Sequence, residues 1–192
     1  MAQRGWLIDL GRCIGCHSCT VACKAEQNTA PANSPLLFKG GSPQRPLHLS
    51  YRWVIVQEGG TYPGVWRTFV TSACNHCQTP ACLNSCPVNA ISKRAADGIV
   101  LIDQEKCIGC KYCVWACPYG APQWNETTQK VEKCTLCVER VDKGLQPACA
   151  TTCVGKALTY VPDFNVAQSG QNAPEGFSDP ALTKPSARFV KK

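Results

Sequence analysis

The chain has 192 residues, a formal net charge of +7 and sixteen cysteines. Its longest apolar run, residues 98–102, falls far short of the ~18 residues that read as a membrane span. The first cysteine at Cys13 leaves no room for a secretory leader, so neither a direct membrane span nor export by an N-terminal signal is expected.

In chain order, a short strand is expected over residues 6–10, rich in aliphatic side chains. A first cysteine group follows, Cys13, Cys16, Cys19 and Cys23, with a helix expected over about 16–27. Residues 29–50 carry four prolines and the adjacent Gly40 and Gly41, the composition of an irregular surface loop. The β-rich runs 51–57 and 65–71 are expected to pair as a hairpin across the turn-rich stretch 58–64. Group two is Cys74, Cys77, Cys82 and Cys86, followed by Pro87. A strand over 99–103 precedes group three, Cys107, Cys110, Cys113 and Cys117, followed by Pro118. Group four, Cys134, Cys137, Cys149 and Cys153, precedes a strand over 157–161. The tail, 162–192, is rich in Pro, Ser, Asn, Ala and Gly and reads equally as a disordered terminus or as an arm laid on a partner.

Groups one and three repeat each other as C-x2-C-x2-C-x3-C, with Ile-Gly in the first gap and Ala before the last cysteine. Group two widens the middle gap to four residues and group four to eleven. Disulfides, zinc sites and iron–sulfur clusters are the three ways to use so many thiols. Zinc sites show two separated pairs rather than three cysteines within seven residues, and disulfides need an oxidising compartment. A cubane cluster needs one thiolate at each of its four irons. Tight two-residue gaps let three cysteines wrap three corners, and the fourth cysteine, starting away on a helix, ligates a different cluster. Group three matches the bacterial ferredoxin run through Pro118, and group two ends likewise at Pro87.

Four clusters change the meaning of the charge. Each adds about −2 and four add about −8, so +7 becomes about −1, and the basic side chains read as compensation for cluster charge. Nucleic-acid binding is not expected, because Lys and Arg are scattered rather than striped. With four cysteines in every group no iron is left open to a substrate, and no nucleotide-binding, hydrolase or paired-carboxylate signature occurs, so no catalytic residue is expected. His17 and His76, inside the cysteine loops, are read as hydrogen-bonding or surface groups, and the five tryptophans as core or interface rather than relays. Lys24, Lys106, Lys111, Lys133 and Lys156 lie near ligands and are candidates to raise cluster potentials or to be plain surface charge.

The run from Cys74-Asn75-His76-Cys77 to Cys86-Pro87 resembles the four-cluster iron–sulfur (beta) subunit of dimethyl-sulfoxide-reductase-type molybdopterin oxidoreductases. So do Asp97-Gly98-Ile99-Val100, Lys106-Cys107-Ile108-Gly109-Cys110-Lys111-Tyr112-Cys113, Ala116-Cys117-Pro118-Tyr119-Gly120-Ala121-Pro122 and Lys133-Cys134. The resemblance implies an α+β fold of two pseudo-symmetric bacterial-type ferredoxin-like modules, with an inserted β-hairpin and an irregular C-terminal tail. Module one is 1–28 plus 130–161, module two is 72–129, and 29–71 and 162–192 are the insertion and tail.

It further implies four [4Fe–4S] clusters. Site a takes Cys13, Cys16, Cys19 and Cys153, and site b takes Cys134, Cys137, Cys149 and Cys23. Site c takes Cys74, Cys77, Cys82 and Cys117, and site d takes Cys107, Cys110, Cys113 and Cys86. Lys24 and Val154 stand where a proline would follow groups one and four, which leaves the local turn there open. The implied role is non-catalytic electron transfer between a molybdopterin-containing catalytic subunit and a quinone-linked membrane anchor, peripheral to the membrane through these partners and on either side of it. A free soluble polyferredoxin is the rival reading. The terminal substrate belongs to the catalytic subunit and is not written in this chain.

Overall fold

The computed structural model describes residues 2–29 and 49–190. It is a mixed α+β fold of short elements: β1 (Gly5–Asp9), α1 (Ser18–Glu26), β2 (Arg52–Gly59), β3 (Trp66–Ala73), α2 (Ala81–Asn84), β4 (Ile91–Lys93), β5 (Val100–Ile102), α3 (Tyr112–Ala116), β6 (Gln123–Asn125), β7 (Lys130–Glu132), α4 (Val138–Val141), α5 (Ala148–Thr151), β8 (Leu158–Val161) and β9 (Ala187–Val190). The loop expected over 29–50 lies, but for its ends, outside the described residues.

β1 is the centre of a three-stranded sheet, antiparallel to β8 and parallel to β9. Trp6 and Ile8 point into the core with Leu158, Ala187, Phe189, Leu136 and Ile99, the alternation that one buried sheet face requires. The remaining strands form three antiparallel pairs, β2–β3, β4–β5 and β6–β7. β2 and β3 are in register from Arg52 opposite Ala73 to Gly59 opposite Trp66. Arg52, Val54, Phe69, Thr71 and Ala73 therefore share one face.

The tail departs from both readings offered for it. It folds back on the rest of the molecule: Ser186 N–H donates to Asn75 O at 3.0 Å, and Thr79 N–H to Thr183 O at 3.1 Å. It then ends as β9 beside β1. The cause is an alternation only four residues long, Ala187 and Phe189 inward with Arg188 and Val190 outward, which also pairs the backbone groups that β1 would leave open at a sheet edge. The "irregular tail" is thus corrected to a strand reached through two short 3-10 turns at Val166–Gln168 and Pro180–Leu182.

The helices pack in the pairs that bring cysteines together. α1 lies on α5, carrying Cys19 and Cys23 towards Cys149, and α2 lies on α3, carrying Cys82 towards Cys113. Among the described residues no helix is long and apolar enough to cross a membrane.

Candidate metal centres

Each cysteine loop is shaped by residues in the left-handed region. Gly15 (φ +69°), His17 (60°), His76 (42°), Gly109 (72°), Lys111 (65°) and Leu136 (60°) all sit one or two residues beyond a cysteine. That bend turns a backbone N–H back onto the sulfur just passed. His76 N–H donates to Cys74 Sγ at 3.5 Å, and Leu136 N–H to Cys134 Sγ at 3.4 Å. Gly15 N–H does the same for Cys13 and Ser18 N–H for Cys16. At Gly15 and Gly109 a side chain is excluded by contact as well as by φ: an added Cβ would lie 2.4 Å from Phe69 and 2.5 Å from Gln129 O.

The sulfurs gather in fours across groups, not within them. One cavity is lined by Cys13, Cys16, Cys19 and Cys153, a second by Cys74, Cys77, Cys82 and Cys117, and a third by Cys86, Cys107, Cys110 and Cys113. The three cavities are alike in size, each enclosing about 20 Å³. The remaining four thiols are mutual neighbours: Cys23 feels Cys149 and Cys137, and Cys134 feels Cys23 and Cys149.

All sixteen thiols are free of disulfides, and all but Cys16 are at least partly buried. Burial pushes Cys23, Cys77 and Cys82 up to about 12, and Cys134 well above the ordinary thiol range. A thiol held there stays protonated and inert at neutral pH unless a metal displaces the proton. Among the described residues no three His, Cys, Asp or Glu side chains converge as the ligands of a single ion do. The donor sets, four soft thiolates each, fit a polynuclear cluster.

The four sites adjoin one another in a row. Cys149 of site b feels Cys19 of site a, and Cys134 of site b feels Cys74 of site c. Cys82 of site c shares an apolar cluster with Cys113 of site d, with Cys86 and Cys107 packed against it.

His76 takes a hydrogen-bonding place. Buried His76 accepts from Val100 N–H through Nδ1 at 3.0 Å, and burial, with Lys133 and Arg52 nearby, holds it well below the usual imidazole range. His17 supplies the left-handed residue before α1. Of the five lysines near ligands, only Lys133 is buried; it donates to Val100 O and to Cys134 O, the latter at 3.0 Å. Lys24 donates to Leu49 O at 2.7 Å, Lys106 pairs with Asp103 at 3.5 Å on the surface, and Lys111 lies 4.0 Å over the Trp124 ring. Trp6 and Trp53 are core, while Trp66 and Trp115 are exposed.

Two groups have no signal in cysteine spacing. Thr183, from the tail, closes the cavity of site c, hydrogen-bonds Cys77 and meets Tyr119 Oη at 2.9 Å. Arg52 is fully buried among the sulfurs of sites a and b. The one available clue to Arg52 is parity, since it stands in phase with Val54 on the inward face of β2.

Left-handed loops, N–H···S bonds and quartets of buried thiols define a ferredoxin-like iron–sulfur protein. Residues 65–162 match the family model described as "4Fe-4S dicluster domain". The sequence is 38% identical to the sulfite dehydrogenase B subunit of Allochromatium vinosum, covering 83% of this protein and 69% of the relative. It is 39% identical to the anaerobic dimethyl sulfoxide reductase B subunit of Escherichia coli, over 83% and 74%. It is 44% identical to the tetrathionate reductase B subunit of Salmonella typhimurium, over 79% of this protein and 54% of that one. It belongs to the iron–sulfur B-subunit family of dimethyl-sulfoxide-reductase-type oxidoreductases. Its part is electron transfer through [4Fe–4S] clusters, not catalysis.

Proposed function

We propose that the chain holds four [4Fe–4S] clusters at sites a to d, each group giving three cysteines to one site and its fourth to the site paired with it. Groups one and four then form one ferredoxin-like module and groups two and three the other, with β2–β3 as an inserted hairpin. The observation that carries this reading is the row of four cysteine quartets, each adjoining the next. When bound, such clusters take and release single electrons, and neighbouring centres let charge pass in steps.

The residues of the chain do the rest. Burial of Cys134, Cys149 and Cys82 keeps water from the middle of the row, which lowers the cost of moving charge by limiting solvent rearrangement. N–H···S bonds stabilise added negative charge on each site. At the two ends the thiols approach the surface beside exposed apolar side chains: Ile14 and Val154 at site a, Ile108 and Trp115 at site d. We infer that a molybdopterin-containing catalytic subunit meets one end and a quinone-linked membrane anchor the other. The relatives' names, reductases and a dehydrogenase for sulfur compounds, favour a complex of that chemistry.

Anaerobic purification from the native source tests the reading. A stable complex with a large molybdenum-containing subunit and about sixteen irons in this chain is the expected result. A freely exchanging monomer would replace it with the soluble-carrier reading.

A further inference from the structure

Among the described residues Arg52 is the most fully buried charge that no carboxylate answers. It is 1% exposed, and no Asp or Glu forms an ion pair with it among the described residues. One guanidinium nitrogen, Nη1, donates to Thr71 Oγ1 at 3.0 Å. The plane lies against Trp6, with Cζ 4.4 Å from the ring centroid. Nε and Nη2 have no hydrogen-bond partner. A guanidinium does not shed its proton in a protein, so a cation is fixed here. Left without counter-charge in a low-dielectric interior it would be strongly destabilising.

Its neighbours are sulfurs. Burial opposes the charge, and Cys149, Cys19, Cys134 and Cys23, in that order, act in its favour. Three of these belong to site b and one, Cys19, to site a. Thr71 completes the link to site a, because its hydroxyl is 3.5 Å from Cys19 Sγ. Once the hydroxyl oxygen accepts from Arg52, its proton is free to point at the sulfur, and a ligating thiolate can only accept. The bonds then run in one direction, from Arg52 Nη1–H to Thr71 Oγ1 and from Thr71 O–H to Cys19 Sγ. The hairpin makes this possible: Arg52 faces Ala73 and Thr71 is the diagonal neighbour on the same face, within reach of a long side chain.

We propose that Arg52 is a positioning residue that sets the reduction potentials of sites a and b. Its charge acts on site b directly, beside Cys149, Cys134 and Cys23, and its bond through Thr71 acts on site a. Reduction adds one electron, and so one negative charge, to a site. A fixed cation favours that state and raises the potential. None of the four sulfurs that favour Arg52 belongs to site c or d, and site c has other partners, Lys133 near Cys82 and Thr183 on Cys77. The inference rests on the four-cluster reading above. Iron content and the number of titrating signals in the unsubstituted protein test that reading, while shifts among those signals test Arg52.

The experiment is a potentiometric titration of the intact complex followed by low-temperature electron paramagnetic resonance, comparing Arg52→Gln, Arg52→Lys and Thr71→Val. Arg52→Gln is expected to move two of the four signals to lower potential and leave two in place. The larger shift is expected to reach at least tenfold in the oxidised-to-reduced ratio at fixed ambient potential, about 59 mV for one electron. Arg52→Lys retains the charge and restores most of that shift, and Thr71→Val moves one signal alone. If Arg52→Gln does not load clusters, the other two variants decide. A folded, fully loaded Thr71→Val with four unmoved signals, together with an Arg52→Lys or Arg52→Gln that titrates as the parent, would overturn the proposal.

Discussion

The two compact cysteine loops, Cys13–Cys23 and Cys107–Cys117, have identical spacing and begin alike. Each has a glycine near φ +70° after the first cysteine and a left-handed basic residue, His17 or Lys111, before its helix. They part at the fourth cysteine. Pro118 forces the residue before it out of the helical region, and Cys117 is extended at φ −81°, ψ 113°, so α3 ends after five residues. Lys24 imposes nothing of the kind, and α1 runs nine residues with Cys23 inside it. The extra turn reaches group four: Gln27 Nε2 approaches Cys137 Sγ at 3.9 Å, and Glu26 pairs with Arg140 at 3.3 Å. One residue after the last cysteine thus decides whether the helix stops or goes on to brace a second site. Proline is not the sole way to stop. α5 is four residues long with Val154 after Cys153, and there Gly155 allows the chain to pass Arg12 O, which an added Cβ would meet at 2.4 Å.

Exchanging the stop signal breaks the comparison most severely. Lys24→Pro removes a helical hydrogen bond and pushes Cys23 towards extended backbone, at a cost of about 3 kcal/mol or more. The expected readout in anaerobic analysis is loss of site b alone, about four irons fewer per molecule. A fully loaded Lys24→Pro protein would show that α1 need not pass through Cys23.

The loop glycines give the next largest effects. An alanine at φ near +70° costs about 1–2 kcal/mol by itself, and the contacts separate the two loops. At Gly15 the obstacle is the Phe69 ring; at Gly109 it is first the backbone oxygen of Gln129 at 2.5 Å, which trimming the Trp124 ring at 2.8 Å would leave in place. Gly15→Ala should therefore recover part of its lost melting temperature when combined with Phe69→Leu. Gly109→Ala should recover nothing when Trp124 is trimmed to Leu. Equal rescue in both loops would refute the distinction.

Pro118→Ala should be milder, because Cys117 can keep its conformation without the ring. The expected loss is about 0.4–1 kcal/mol in denaturant unfolding, with iron content unchanged. Glu26→Gln is the smallest change. The pair with Arg140 is partly exposed on both sides, so its loss is worth less than about 1 kcal/mol and should fade with added salt.

Much of this was readable because ligand spacing is a local constraint. Group membership, the strand before group one, the helix carrying Cys23 and the β2–β3 runs are all set by residues close in sequence. What was not readable depends on contacts between distant segments. β4, β6 and β7 are three residues each, too short for a period to show. β9 has four residues and is recruited by β1 from the opposite end of the sequence, with Ala187 set beside Trp6. Thr183 and Arg52 acquire their roles only once the tail and the hairpin are laid over the sulfurs. The lysines next to cysteines in sequence were the visible candidates for tuning, yet the buried guanidinium comes from a strand with no cysteine in it.

The proposed electron path requires sixteen thiols to hold four cubane clusters in one row. Anaerobic iron and zinc analysis of the intact protein, combined with integrated electron paramagnetic resonance of its dithionite-reduced form, tests this most directly. About sixteen irons, no zinc and about four spins per molecule are predicted, the signals broadened by coupling between neighbouring sites. About eight irons, or zinc in their place, would contradict it.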